Sequence, residues 1–163
     1  MYQEKFMRRA LELSASALTL PGTEPFGAVI VKDGQIVGEG LNHSLAHFDP
    51  TSHGETEAIR DACRKLQTVD LRGCELYTSA EPCALCVAAM VISGIGQLYY
   101  AASLDQCGPI FDKLPLAERF PIDVAHLRAE CGGPVQGRAL PAEQKLDDEA
   151  VAILKAWAAP RLA

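Results

Sequence analysis

The chain is 163 residues long with a mass of 17.5 kDa, enough for one domain that buries roughly 70% of its unfolded surface and needs no second core. A net charge of −6, a pI of about 5.2 and Lys and Arg residues scattered without a basic block weigh against a nucleic-acid substrate. No 18-residue apolar run occurs, and Met1 to Phe6 alternates charged and apolar residues, so a soluble, cytoplasmic protein with no membrane partner and reduced cysteines is expected.

Tyr2 to Leu18 reads as an amphipathic helix, because Phe6, Met7, Ala10, Leu11 and Leu18 recur near a 3.6-residue period and Pro21-Gly22 ends it. Gly27 to Lys32 and Gln35 to Gly40 read as strands, joined by Asp33-Gly34, the dipeptide that favours a type I′ hairpin. A loop over 42–52 leads to a helix from His53 to Leu66 that turns Ala58, Ile59, Ala62 and Leu66 inward. Cys74 to Ser79 is a third strand, Cys83 to Ser93 a further helix and Gln97 to Ala102 a fourth strand, an alternation that predicts an α/β layered domain. Beyond Ser103, Pro109, Pro115, Pro121 and Pro134 punctuate a loop-rich stretch of the kind that forms a lid. Val135 to Leu140 is a candidate fifth strand. Glu143 to Ala159 is a closing helix, with Leu146, Ala150, Ile153, Leu154 and Trp157 on one stripe. With no repeat or linker, residues 1–163 read as a single domain whose segment 104–163 supplies the lid and the closing helix.

The chemistry concentrates in a split cluster, His53-Gly54-Glu55 and, 27 residues later, Pro82-Cys83-Ala84-Leu85-Cys86. Two thiolates and an imidazole suit Zn²⁺, and a set of three protein ligands leaves the fourth tetrahedral position open, which is the catalytic arrangement. Cys83 and Cys86 are three apart on a predicted helix and share a face. His53 and Glu55 are two apart and would diverge on the side of a helix, but in the first turn both can converge on an ion beyond its end. Helix N-termini also favour thiolates. Glu55 is then the better acid than Glu57, which lies further along and can pair with Arg60. A base that takes a proton from water and returns it to a ring nitrogen and a leaving amine would complete a hydrolytic deamination. A lone Cys-x-x-Cys also occurs in redox and structural zinc proteins, but neither needs His-x-Glu.

Pro25 to Gly34, Glu39-Gly40-x-Asn42, Asp49-Pro50-Thr51-x-His53-x-Glu55, Ala58-Ile59-Arg60 and Leu76-Tyr77-Thr78-Ser79-x-Glu81-Pro82-Cys83-x-x-Cys86 resemble the cytidine-deaminase-like superfamily, and most closely its small bacterial guanine deaminases. The resemblance implies a three-layer α/β/α fold with a mixed five-stranded sheet and a homodimer. It implies one Zn²⁺ per chain held by His53, Cys83 and Cys86, with Glu55 as the proton shuttle. Asn42 would hydrogen-bond the base and Phe26 would pack against it. It also implies hydrolysis of a free base, guanine to xanthine first, with cytosine, aminotriazines, pterins or adenosine in tRNA as alternatives. Against tRNA, residues 120–163 carry five Lys or Arg and six Asp or Glu, where a stem-gripping segment would be basic. Against a non-catalytic zinc scaffold stands Glu55. Departures from the pattern fall at the expected pocket. Gly54 replaces the usual alanine and would leave more room beside the base, Ile92 stands for a tryptophan, and a Phe-Asp-Asp segment appears as Phe111-Asp112-Lys113. Asp112 is the candidate second polar clamp.

Overall fold

The computed structural model describes residues 1–115 and 123–161. They fall into two compact units, residues 1–124 and 125–163. In the first, helix α1 (Glu4–Ser16) precedes strands β1 (Glu24–Lys32) and β2 (Gln35–Asn42). A single turn, α2 (Ser44–His47), leads to α3 (Gly54–Leu66), β3 (Glu75–Ala80), α4 (Ala84–Ser93), β4 (Gln97–Ala102) and α5 (Leu104–Phe111). The sheet order is β2-β1-β3-β4. β1 runs antiparallel to both β2 and β3, whereas β3 and β4 are parallel, so the sheet is mixed as expected.

Both faces of this sheet are covered, and the sequence of β1 records it. Ala28 to Val31 is a continuous buried run, because side chains alternate across a sheet whose two faces are both apolar. Ala28, Ile30 and Leu76 face Ala58 and Ala62 of α3 and Met90 of α4. Val29, Val31 and Tyr77 face Phe6 and Met7 of α1. Each large side chain so buried contributes about 1.5–3 kcal/mol. The hairpin is the expected one, with positive φ at both Asp33 and Gly34, 51° and 74°.

Helix α3 lies unusually close to the hairpin. A Cβ at Gly40 would sit 2.1 Å from the Gly54 carbonyl oxygen and 2.3 Å from the Ala58 nitrogen, so only glycine lets the first turn of α3 rest directly on β2. That contact fixes where the helix begins, and the functional residues sit at its beginning.

The sheet has four strands among the described residues and not the expected five. Val135–Gly137 forms a 3-10 turn inside the second unit, which also contains all but the first residue of α6 (Val124–Gly132) and the whole of α7 (Asp147–Ala158). The amides of Ala139 and Leu140, which a strand would offer to a neighbour, donate to the Glu130 carboxylate at 2.9 and 3.1 Å. Pro134 removes a further donor. The closing helix is present but starts at Asp147, with Asp147, Asp148 and Glu149 in its first turn, where the helix dipole favours acids. No helix among the described residues is long and apolar enough to cross a membrane. Pro121, one of the punctuating prolines, lies outside the described residues.

Candidate active site

His53 and Cys83 are the N-cap residues of α3 and α4, both in extended conformation, and neither side chain caps its own helix. Each is therefore available to something beyond the helix end. Cys86 is one turn further along α4 and fully buried. The three side chains meet: His53 Nδ1 lies 3.5 Å from Cys83 Sγ and 3.4 Å from Cys86 Sγ, and the sulfurs are 3.7 Å apart. Zinc bonds of about 2.3 Å to sulfur and 2.0–2.1 Å to nitrogen, set on a tetrahedron, place S and N about 3.6 Å apart and two sulfurs about 3.8 Å apart. The observed triangle fits one Zn²⁺ within the tolerance such a site allows.

The protonation pattern agrees with a ligand set. A hydrogen bond from Cys86 holds the Cys83 thiol down at about 4, with His53 adding to the effect. Cys86 moves the other way, because its proton is the one shared with Cys83 and because it is buried. The hydrogen bond to Cys83 raises the His53 imidazole. The protons held among these three groups are those that a zinc ion displaces on binding.

Glu55 stands beside the triangle without belonging to it. It is 5% exposed, its Oε2 lies 3.4 Å from Cys86 Sγ, and burial pushes its carboxyl above the usual range. Glu57 instead receives the Arg60 guanidinium, as its place in the sequence suggested.

Asn42 ends β2 and is 3% exposed. Its Oδ1 accepts the Ser44 amide at 2.9 Å and its Nδ2 donates to Glu24 Oε2 at 3.1 Å. The side chain thus turns the chain into α2 while its orientation is held from both ends. Phe26 meets Phe111 of α5, with ring centroids 5.0 Å apart. Gly54 does something other than widen a pocket: a Cβ there would stand 2.2 Å from the Phe26 carbonyl oxygen. Its bare Cα faces the β1 backbone, which already fills the space the missing methyl would occupy. Asp112 is exposed at the C-cap of α5, directly after Phe111. Ile92 is 85% exposed on α4 and so lies on that helix's open face.

Glu24 is the residue that sequence reasoning missed. Its carboxylate orients Asn42 and its charge acts on His53. The signal is the cross-strand register, Glu24 opposite Asn42, which follows an irregularity between Glu24 and Gly27 and is invisible to residue spacing. Glu81 accepts the Leu104 amide at the start of α5 at 3.0 Å.

A zinc-sized triangle of His and two Cys at two helix N-termini, with a buried carboxylate next to it, is the arrangement of a zinc-dependent aminohydrolase. Residues 1–102 match the model of the cytidine and deoxycytidylate deaminase zinc-binding region, and the chain belongs to that family. It is 35% identical over 157 residues to guanine deaminase from Bacillus subtilis, across 96% of this chain and 94% of that one. The X-ray structure of guanine deaminase from B. subtilis superposes with a TM-score of 0.81 at 34% identity, covering 96% and 94% of the two chains. A tRNA-specific adenosine deaminase from Aquifex aeolicus is 42% identical over 102 residues, 63% of this chain and 67% of its own.

Proposed function

We propose that the protein is a cytoplasmic guanine deaminase that hydrolyses the free base to xanthine and ammonia. The observation that carries the chemistry is the buried Glu55 carboxylate beside a zinc-fitting triangle that it does not join. Guanine is favoured because similarity to a guanine deaminase runs through 96% of the chain, and because the acidic balance of residues 120–163 disfavours a polyanion.

His53 Nδ1, Cys83 Sγ and Cys86 Sγ hold the zinc in this reading, and zinc, when bound, supplies the Lewis acidity that activates a water. Glu55 takes a proton from the attacking water and delivers it to a ring nitrogen of the base. Glu55 then takes the proton of the newly added hydroxyl and passes it to the exocyclic nitrogen as the carbon–nitrogen bond breaks, so that ammonia leaves and the carbon becomes a carbonyl. Asn42, held in one orientation by Ser44 and Glu24, has by valence a second amide hydrogen with which to bind the base. Phe26, backed by Phe111, packs against the ring. Asp112 adds a second polar contact. Residues 1–163 act as one deaminase domain, with 104–163 as lid and closing helix. The exposed Val87, Val91 and Ile92 of α4 support a homodimer burying more than about 1,000 Å².

Ammonia release from zinc-loaded protein, measured over free bases, nucleosides and aminotriazines, with inosine formation in tRNA alongside, tests the reading. Guanine is expected to be the best substrate. Inosine formation in tRNA without turnover of any free base would overturn guanine in favour of adenosine in tRNA.

A further inference from the structure

Ser52 precedes His53, is fully buried and has no part in the chemistry above. Its hydroxyl donates to Glu57 Oε1 at 2.9 Å. A hydroxyl has one proton, so the third group in contact, His47 Nδ1 at 3.2 Å, is a donor to the Ser52 oxygen. From the other side Glu57 is held by Arg60, which also donates to Thr51 Oγ1 at 3.0 Å and lies 3.8 Å from Asp49. Asp49 in turn accepts from the Thr51 amide and hydroxyl at 2.8 and 2.7 Å. Residues 49 to 52 are therefore lashed by their side chains to the first two turns of α3.

The same residue ties the far end of the loop. The Ser52 carbonyl accepts the His43 amide at 2.9 Å, and His43 directly follows Asn42. Ser52 is thus the point where the Asn42 end and the His53 end of the loop are pinned together. It is no nucleophile, because it is shut off from solvent and its proton is committed to Glu57.

We propose that Ser52, braced by Glu57 and Arg60, is a positioning residue that holds the His53 imidazole at the zinc triangle. The inference rests on the ligand assignment above. The imidazole has no cap bond to its own helix, so its place depends on the backbone on either side. On the helix side the Glu57 amide donates to the His53 carbonyl at 2.9 Å. On the loop side the His53 amide donates to the Thr51 carbonyl at 2.9 Å, and the Ser52 hydroxyl is the side-chain anchor that ties this backbone to α3. A zinc site tolerates displacements of only about 0.2 Å, and loss of groups that orient a ligating histidine typically weakens metal binding about 10–100-fold.

Removing the hydroxyl should not unfold the chain. In Ser52→Ala, Glu57 keeps its Arg60 partner, so no buried charge is stranded, and His47 is exposed and can turn to water. The experiment is the half-life of bound zinc in excess chelator, with the melting temperature recorded on the same samples. Ser52→Ala should shorten the half-life about tenfold. Glu57→Gln keeps an acceptor but loses the charge that Arg60 grips, and should shorten it about threefold, less than the usual range because the hydroxyl keeps its partner; it also serves if Ser52→Ala fails to fold. His53→Ala should retain no zinc. A lower melting temperature with an unchanged zinc half-life in both brace variants, while His53→Ala loses the metal, would overturn the proposal and leave the ligand set standing. Full zinc retention in His53→Ala would overturn the ligand set and the proposal together.

Discussion

Residues 1–102 and residues 125–161 both carry apolar stripes, with opposite outcomes. In the first region the stripes are met: Phe6 is 3% exposed, and Ile30 and Tyr77 are fully buried. In the second, Ile153, Leu154 and Trp157 of α7 remain 70%, 64% and 62% exposed. An amphipathic pattern therefore identifies which face seeks cover and says nothing of what covers it. In β1 the alternation itself supplies the answer, since Ala28 and Ile30 must face one helical layer and Val29 and Val31 the other. A single helix such as α7 contains no such second constraint.

The largest effect expected lies in the first region. Glu55→Gln keeps the shape and the zinc ligands but cannot carry a proton, so turnover of zinc-loaded protein should fall about 10³-fold or more. Glu57→Gln, on the same helix but already paired with Arg60, should cost far less. Steady-state ammonia release checks both, and the reverse ranking would mean that Glu57 is the acid.

Core truncation sharpens the comparison next. Phe6→Ala empties a site between α1 and Tyr77 and should cost about 3–5 kcal/mol in urea unfolding. Trp157→Ala should cost less than about 1 kcal/mol, as an exposed side chain does. If Trp157→Ala instead matches Phe6→Ala, and its cost depends on protein concentration, a second copy covers α7 in solution.

The same contrast explains what the sequence made legible. The hairpin at Asp33-Gly34 and the helix starts at His53 and Cys83 could be read because each is a local decision: a turn that needs positive φ, or a cap followed by a periodic helix. The metal triangle was legible for the same reason, being two local motifs at two helix ends. Glu24 was not, because its place beside Asn42 depends on strand register across an irregularity. Ser52 was not, since a serine between a turn and a helix looks solvated until Glu57 and His47 close over it. Gly54 pointed to a roomier pocket, but only the packing of α3 on β1 reveals that the room is already filled. The strand expected over Val135 to Leu140 failed because Glu130, nine and ten residues upstream, takes the amides of Ala139 and Leu140.

A smaller effect separates the two proposed base contacts. Asn42→Ala removes a buried side chain held by two hydrogen bonds and should lower kcat/KM for guanine about 10–100-fold. Asp112→Ala removes an exposed side chain at the end of α5 and should lower it about tenfold or less. An Asp112 effect equal to that of Asn42 would mean that the end of α5 closes firmly on the substrate.

The smallest effect concerns charge, and it contrasts the same two regions. In the first, Arg9 Nε and Nη2 grip the two oxygens of Glu39 at 2.7 and 3.0 Å, tying α1 to β2. In the second, Lys145 and Glu143 stand 2.9 Å apart with side chains 75% and 77% exposed. The Arg9 hydrogen bonds hold the Glu39 carboxyl below its ordinary 4.5. A carboxyl lowered on folding stabilises the folded state above its unfolded pKa, and that stability is lost as pH falls through the lower folded value. The pair is partly exposed, at 39% and 32%, so solvent and salt screening limit its worth to about 1 kcal/mol even with two-point geometry. Glu39→Gln should therefore be about 1 kcal/mol less stable than wild type at pH 7, with the gap closing below the folded pKa and shrinking in 1 M salt. Glu143→Gln should change nothing measurable at either pH. Urea unfolding at pH 7 and near pH 3 checks both, and a Glu39→Gln deficit that persists undiminished in acid would show that the carboxylate contributes through packing and not through its charge.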